Sequence, residues 1–233
     1  MKKMNHRSCK KGWAFVLTLV MVFTTLFVGF SFLGIHGIVG EAYAATTRSD
    51  MLNLKSVITQ NNTTQGWAWD STAKILTLSG INLNTNSACA MYVPAGTSIV
   101  LFGDNNIKST FIGNMGQGIY AFGDVTISGS GSLTVTSGGI SADYSGTDGY
   151  YMSSGTLTIN SGTVNITGGN ASPGIYRSSI GIAGNLIING GTVTATGGTA
   201  AGSDYSYSYG LSGGTLTMNG GVLNVSGGES INS

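Results

Sequence analysis

Three segments hold most of the side chains that could do chemistry on a ligand. The first contains Asp143, Tyr144, Asp148, Tyr150 and Tyr151, the second Tyr176 and Arg177, and the third Asp204, Tyr205, Tyr207 and Tyr209. Tyrosine rings stack on the apolar faces of sugars, while phenols and carboxylates bond sugar hydroxyls. Together the three segments form the residue set of a glycan-binding surface. The competing role for the same tyrosines is to cover the apolar flank of a core.

Catalysis finds less support. The only histidines are His6 and His36, so beyond residue 44 neither a serine triad nor Cys89 has an imidazole base. A two-carboxylate glycosidase would have to draw on Asp143, Asp148 and Asp204, and their spacing does not single out that chemistry. Asp104 and Asp124 each follow a glycine and lie 20 residues apart. They could share a calcium ion, although a turn role suits them better. No G-G-x-G-x-D calcium nonapeptide occurs. No cofactor is required by any motif, and calcium is the one left open.

The chain begins as an exported protein does. Lys2, Lys3, Arg7, Lys10 and Lys11 precede an apolar run from Trp13 to Gly40, followed by Ala42-Tyr43-Ala44, a small-x-small cleavage site. Residues 1–44 are read as a signal peptide, with a retained membrane anchor as the alternative because the run is long. Beyond it remain five basic residues (Arg48, Lys55, Lys74, Lys108, Arg177) and eight acidic ones, a net charge of −3. The scattered basic residues form no stripe for a phosphate backbone, so nucleic acid is not an expected partner. Cys89 alone remains of the two cysteines, which excludes an intramolecular disulfide and a zinc cluster. A secreted or cell-surface location follows, with no membrane contact once the signal is cleaved.

The elements that must position the candidate residues come from an internal repeat. Segments starting at Gly123, Gly155, Gly184 and Gly214 align at spacings of 32, 29 and 30 residues. Their consensus is G-x-L-T-I-x-G-G-x-V-x-I-x-G-G. Two runs alternate apolar and polar residues around a glycine turn, the period of strands. The apolar columns are Val125/Leu157/Leu186/Leu216, Ile127/Ile159/Ile188/Met218, Leu133/Val164/Val193/Leu223 and Val135/Ile166/Ala195/Val225. Gly118-Ile119, Gly139-Ile140, Gly174-Ile175, Gly181-Ile182 and Gly210-Leu211 mark a third short strand. One repeat cannot bury its own apolar face, so the repeats must stack.

Weaker rungs lie upstream at Leu76/Leu78 with Ile81/Leu83, and at Ile99/Leu101 with Ile107. The expected fold is an all-β parallel β-helix of about five to six coils. Residues 45–74 form an N-terminal cap and a hairpin around Asp70–Ala73, and residues 75–233 form the repeats. No comparable cap follows the last repeat, so the chain is expected to be truncated, to continue, or to stack on a partner. Its oligomeric state is not legible.

Asn160, Asn189 and Asn219 recur at one turn position, with Ser128 in the first repeat, and are expected to form a structural ladder. Thr126, Thr158 and Thr217 face outward from the first strand. Thr134/Thr136, Asn165/Thr167, Thr194/Thr196 and Asn224/Ser226 face outward from the second. An ice-binding role for these columns is weighed and set below their plain use as good strand formers.

Trp67-x-Trp69-Asp70…Leu76-Thr77-Leu78, Ile99-Val-Leu101-x-Gly103-Asp104-Asn105-x-Ile107 and the repeated Leu-Thr-Ile-x-Gly-Gly motif carry a family resemblance. Over residues 65–228 the chain resembles the secreted, pectate-lyase-like β-helix proteins of Gram-positive bacteria that bind carbohydrate. The resemblance implies a right-handed β-helix, a cell-surface or extracellular setting, and binding of acidic plant polysaccharide with calcium. Pectin-binding members of the family carry acidic residues beside the Gly-Ile strand, where this chain has Ser141, Ala183 and Ser212. A lyase reaction would also need an acidic calcium cluster and a proton-abstracting base, for which Arg177 is the only nearby candidate. The expectation is a non-catalytic carbohydrate-binding module whose partner is a polysaccharide or cell-wall glycan. A structural or adhesin stalk is the alternative, and a polysaccharide lyase ranks third.

Overall fold

The computed structural model describes residues 50–55, 59–111, 116–137, 145–171, 176–202 and 205–232, with residues 145–154, 176–177 and 232 described by their backbone. Residues 1–44, expected to be a signal peptide, Asp143, Tyr144, Asp204, Ser141 and the pairs Gly139-Ile140 and Gly174-Ile175 lie outside them. Among the described residues the regular elements are β-strands and one 3-10 turn, Thr63–Gln65. The four aligned repeats are successive turns of a parallel β-solenoid.

Three strand ladders run along it. The first-strand ladder stacks Ile75–Ser79, Thr97–Phe102, Val125–Gly129, residues 157–159 and 186–188, and Leu216–Met218 in parallel. The second is a six-stranded parallel sheet of Asn82–Thr85, Asp104–Ser109, Ser132–Thr136, Thr163–Thr167, Thr192–Thr196 and Val222–Ser226. The third stacks Leu52–Asn53, Cys89–Val93, Gln117–Ala121, the leading halves of Ser145–Ile159 and Tyr176–Ile188, and Tyr205–Ser212. Because Ser145–Ile159 and Tyr176–Ile188 run through both, the first and third ladders merge into one 12-stranded sheet.

The alternation that marked the strands also places the core. Val125, Leu157, Leu186, Ile127, Ile159, Ile188, Leu133, Val164, Val193, Val135, Ile166 and Ala195 are all buried. The fourth repeat departs from the expected column: Leu216, Met218 and Val225 are 47 %, 46 % and 49 % exposed, and Leu223 is half-buried. A solenoid side chain is covered by its neighbours in the rungs on both sides. Among the described residues no rung stacks beyond this one. Of the third-strand markers, Ile119 and Ile182 are buried and Leu211 packs half-buried against the core.

Two positions need a residue without a side chain. A Cβ on Gly181 would lie 2.6 Å from Gly210 O and 2.9 Å from Thr196 N, and a Cβ on Gly210 would collide with Ala195 O. These glycines let the third-strand ladder approach the second sheet backbone closely.

The sequence-predicted hairpin is present: Trp67–Asp70 pairs antiparallel with Ile75–Ser79, and Gln60–Asn62 adds a further antiparallel strand. Asp70 Oδ1 accepts from Thr72 N and Ala73 N, both at 2.9 Å, a side-chain-closed turn. Trp67 and Trp69 are buried against the first rungs.

Candidate functional site

The strand Tyr205–Ser212 begins Tyr-Ser-Tyr-Ser-Tyr, so the pleat sends serines to one side and tyrosines to the other. The inward serines are held by hydrogen bonds: Ser206 Oγ donates to Ile231 O at 2.9 Å and Ser208 Oγ to Gly198 O at 2.5 Å. Tyr205, Tyr207 and Tyr209 therefore project outward and are 49 %, 44 % and 43 % exposed. Successive ring centroids are 6.4 Å and 5.9 Å apart, and each adjacent pair of planes is within 11° of parallel. The strand thus presents a row of three near-parallel phenols.

The six described tyrosines of the three segments, Tyr150, Tyr151, Tyr176, Tyr205, Tyr207 and Tyr209, all lie on strands and do not share one register position. Tyr176 is the register partner of Tyr205, and Arg177 that of Ser206, which places both beside the row. Tyr150 and Tyr151 pair with Ile182 and Ala183 on one side and with Ile119 and Tyr120 on the other. Asp148 pairs with Ile180 and Gln117. Ile180 is also the register partner of Tyr209, so Asp148 is level with the end of the row two rungs away, whereas Tyr150 and Tyr151 stand further along the strand, in the columns of Leu211 and Ser212. The strand period of the Tyr-Ser alternation is the reason the segment extends.

Tyr151 instead shares a register column with Tyr120 and Tyr92, which lie upstream of the four aligned repeats. Both follow an inward aliphatic of the third strand (Met91 and Ile119), and that i, i+1 pattern was the available signal. Tyr92, Tyr120 and Phe122 cluster with centroid separations of 5.7, 4.8 and 5.9 Å and are mutually tilted by 61°, 57° and 32°. Lys55 Nζ sits 4.5 Å from the Phe122 ring centroid, a cation–π contact. Asn53, Lys55, Ala88, Tyr92, Gln117, Tyr120 and Phe122 line a cavity of about 540 Å³. Burial, aided by the nearby Cys89 and Tyr120, pushes the Tyr92 phenol above its ordinary value of 10.0. Tyr92 is therefore a hydrogen-bond donor at neutral pH.

Cys89 lies beneath this cluster, and burial pushes its thiol up to about 12, with hydrogen bonds at the backbone of Met91 and Tyr120 opposing the shift. Its Sγ donates to Met91 O at 3.2 Å. A thiol held protonated is a poor nucleophile and a poor metal ligand.

Asp104 opens the strand Asp104–Ser109 and Asp124 immediately precedes the strand Val125–Gly129, and each carboxylate ties one rung to the next. Asp104 Oδ1 accepts from Ser132 Oγ at 2.7 Å, and Asp124 Oδ1 from Thr156 N at 2.8 Å. Ala183 and Ser212 are register partners beside the Gly-aliphatic strand and supply one side-chain oxygen between them. Calcium takes six to eight oxygens, several from carboxylates, and this donor set does not fit it.

Fold and surface together define an all-β parallel solenoid bearing a row of exposed tyrosines. No family model, curated protein or solved structure matches the chain.

Proposed function

We propose that the protein is a non-catalytic, extracellular or cell-surface carbohydrate-binding module built on a right-handed β-helix. The observation that carries the reading is the parallel row Tyr205, Tyr207 and Tyr209. Phenols repeated along one strand suit a ligand that is itself a repeat, and a polysaccharide offers an apolar ring face and hydroxyls at every unit. Residues 1–44 act as the export signal. The strands of residues 75–109 extend the four repeats to six coils, and the tryptophan hairpin caps the first of them. Capping protects an edge that would otherwise template aggregation. Binding through this row needs no calcium.

A glycan array probed with the chain and with Tyr205/Tyr207/Tyr209→Ala tests the reading. Binding to a polysaccharide that the triple variant loses supports it. Failure of the wild type to bind any glycan, or equal binding by the variant, overturns it.

The second reading is a structural or adhesin segment that binds protein or cell wall. Leu216, Met218, Val222 and Val225, exposed on the last described rung, favour it because exposed apolar side chains grouped together mark contact surfaces. Polysaccharide lyase activity ranks behind both and would require polygalacturonate to be cleaved when calcium is added.

A further inference from the structure

The cleft around Tyr120 differs in chemistry from the tyrosine row. Its three rings are tilted against one another by 32° to 61°, so they form the walls of a concavity and offer no flat platform for a sugar face. Among the described residues that line it, Lys55 is the one charged side chain and none is acidic. The Lys55 ammonium is held over the Phe122 ring at the edge of the aromatic walls. Asn53 and Gln117 add amides, and Tyr92 adds a phenol that stays protonated at neutral pH. The volume, about 540 Å³, is in the range of small-molecule sites.

We propose that this cleft is a second binding site, selective for a small aromatic carboxylate. The ligand's ring packs edge-to-face among Tyr92, Tyr120 and Phe122, an arrangement favoured by the quadrupoles of aromatic rings. Its carboxylate pairs with Lys55 in a charge-assisted contact beside apolar surface, where such contacts are stronger than in open water. The amides of Asn53 and Gln117 and the Tyr92 phenol bond polar substituents. The proposal is independent of the tyrosine row.

The test is calorimetric titration of the full chain with 4-hydroxybenzoate, benzyl alcohol and galacturonate. Expected are saturable binding of 4-hydroxybenzoate, a loss of about tenfold in Lys55→Gln, and unchanged binding in Tyr205/Tyr207/Tyr209→Ala. Lys55 is exposed, so its substitution leaves the fold intact and decides the matter even if Tyr120→Leu unfolds. Absent binding, equal binding of benzyl alcohol or galacturonate, an unchanged Lys55→Gln affinity, or loss in the triple variant would each overturn the proposal.

Discussion

Ser179 and Gly169 are joined by a 2.6 Å hydrogen bond from the serine hydroxyl to the glycine carbonyl, and the same hydroxyl accepts from Gly198 N at 2.7 Å. One side chain of the third-strand ladder thereby links the turns that end two successive second strands. Ser208 repeats the arrangement one rung on, donating to Gly198 O at 2.5 Å and accepting from Gly228 N at 2.6 Å. A buried hydroxyl satisfies two turn groups that the ladders leave over, as buried polar atoms require.

Ser179→Ala should therefore destabilise the fold by about 2 kcal/mol, since it removes both hydrogen bonds of a buried hydroxyl that ties two rungs together while removing almost no apolar contact. Ser208→Ala, at a half-buried position, should cost less. Urea unfolding of both variants, compared at equal m-value, measures the difference.

Asn105 offers a sharper separation of packing from polarity. It is buried in the column of Leu133, Val164 and Val193, and its register partner is Leu133. Its Oδ1 accepts from Gly80 N at 2.9 Å and Ile81 N at 3.2 Å, while its Nδ2 donates to Ser132 O at 2.9 Å and Phe102 O at 3.1 Å. Asn105→Leu fits the apolar column yet should still cost about 3 kcal/mol, because it strands those turn groups away from water. A variant as stable as the wild type would mean that water reaches them.

The Cys89 thiol makes stability depend on alkaline pH. In the unfolded chain it loses its proton near 9.0, whereas the folded state holds the proton to about 12. Between these values the unfolded state binds fewer protons, so rising pH favours unfolding by up to about 1.4 kcal/mol per pH unit. The contribution is complete below pH 9 and lost as pH approaches 12, and the raised Tyr92 phenol acts in the same direction. Thermal melts from pH 7 to 11 should fall more steeply for the wild type than for Cys89→Ala. At neutral pH a thiol reagent should label Cys89 only after denaturation.

Much of this molecule was legible from its repeat. The columns headed by Val125 and Leu133, the hairpin at Asp70 and the asparagine ladder all follow from residues recurring at nearly fixed spacing or from local turn chemistry. In that ladder Asn189 Nδ2 donates to Asn160 Oδ1 at 2.8 Å, and Asn219 Nδ2 to Asn189 Oδ1 at 2.7 Å. A stacked fold maps sequence period onto spatial neighbours, so the repeat spacing alone points to such contacts. Burial in the fourth repeat was not legible, because Leu216 and Val225 match their columns in type while their exposure depends on a rung beyond them.

The aromatic surface was the part that only tertiary structure could decide. The tyrosines at 205, 207 and 209 could be recognised as a set, since their alternation lies within one strand. Whether Tyr151 joined that set or stood in register with Tyr120 depended on how loops of unequal length, at spacings of 32 and 29 residues, set the stacking. The meeting of Lys55 with Phe122 joins residues far apart in the chain, and no periodicity links them. The amino-acid pattern determined which faces are apolar and which are aromatic. Register, fixed by backbone pairing between rungs, determined which aromatic residues share a site.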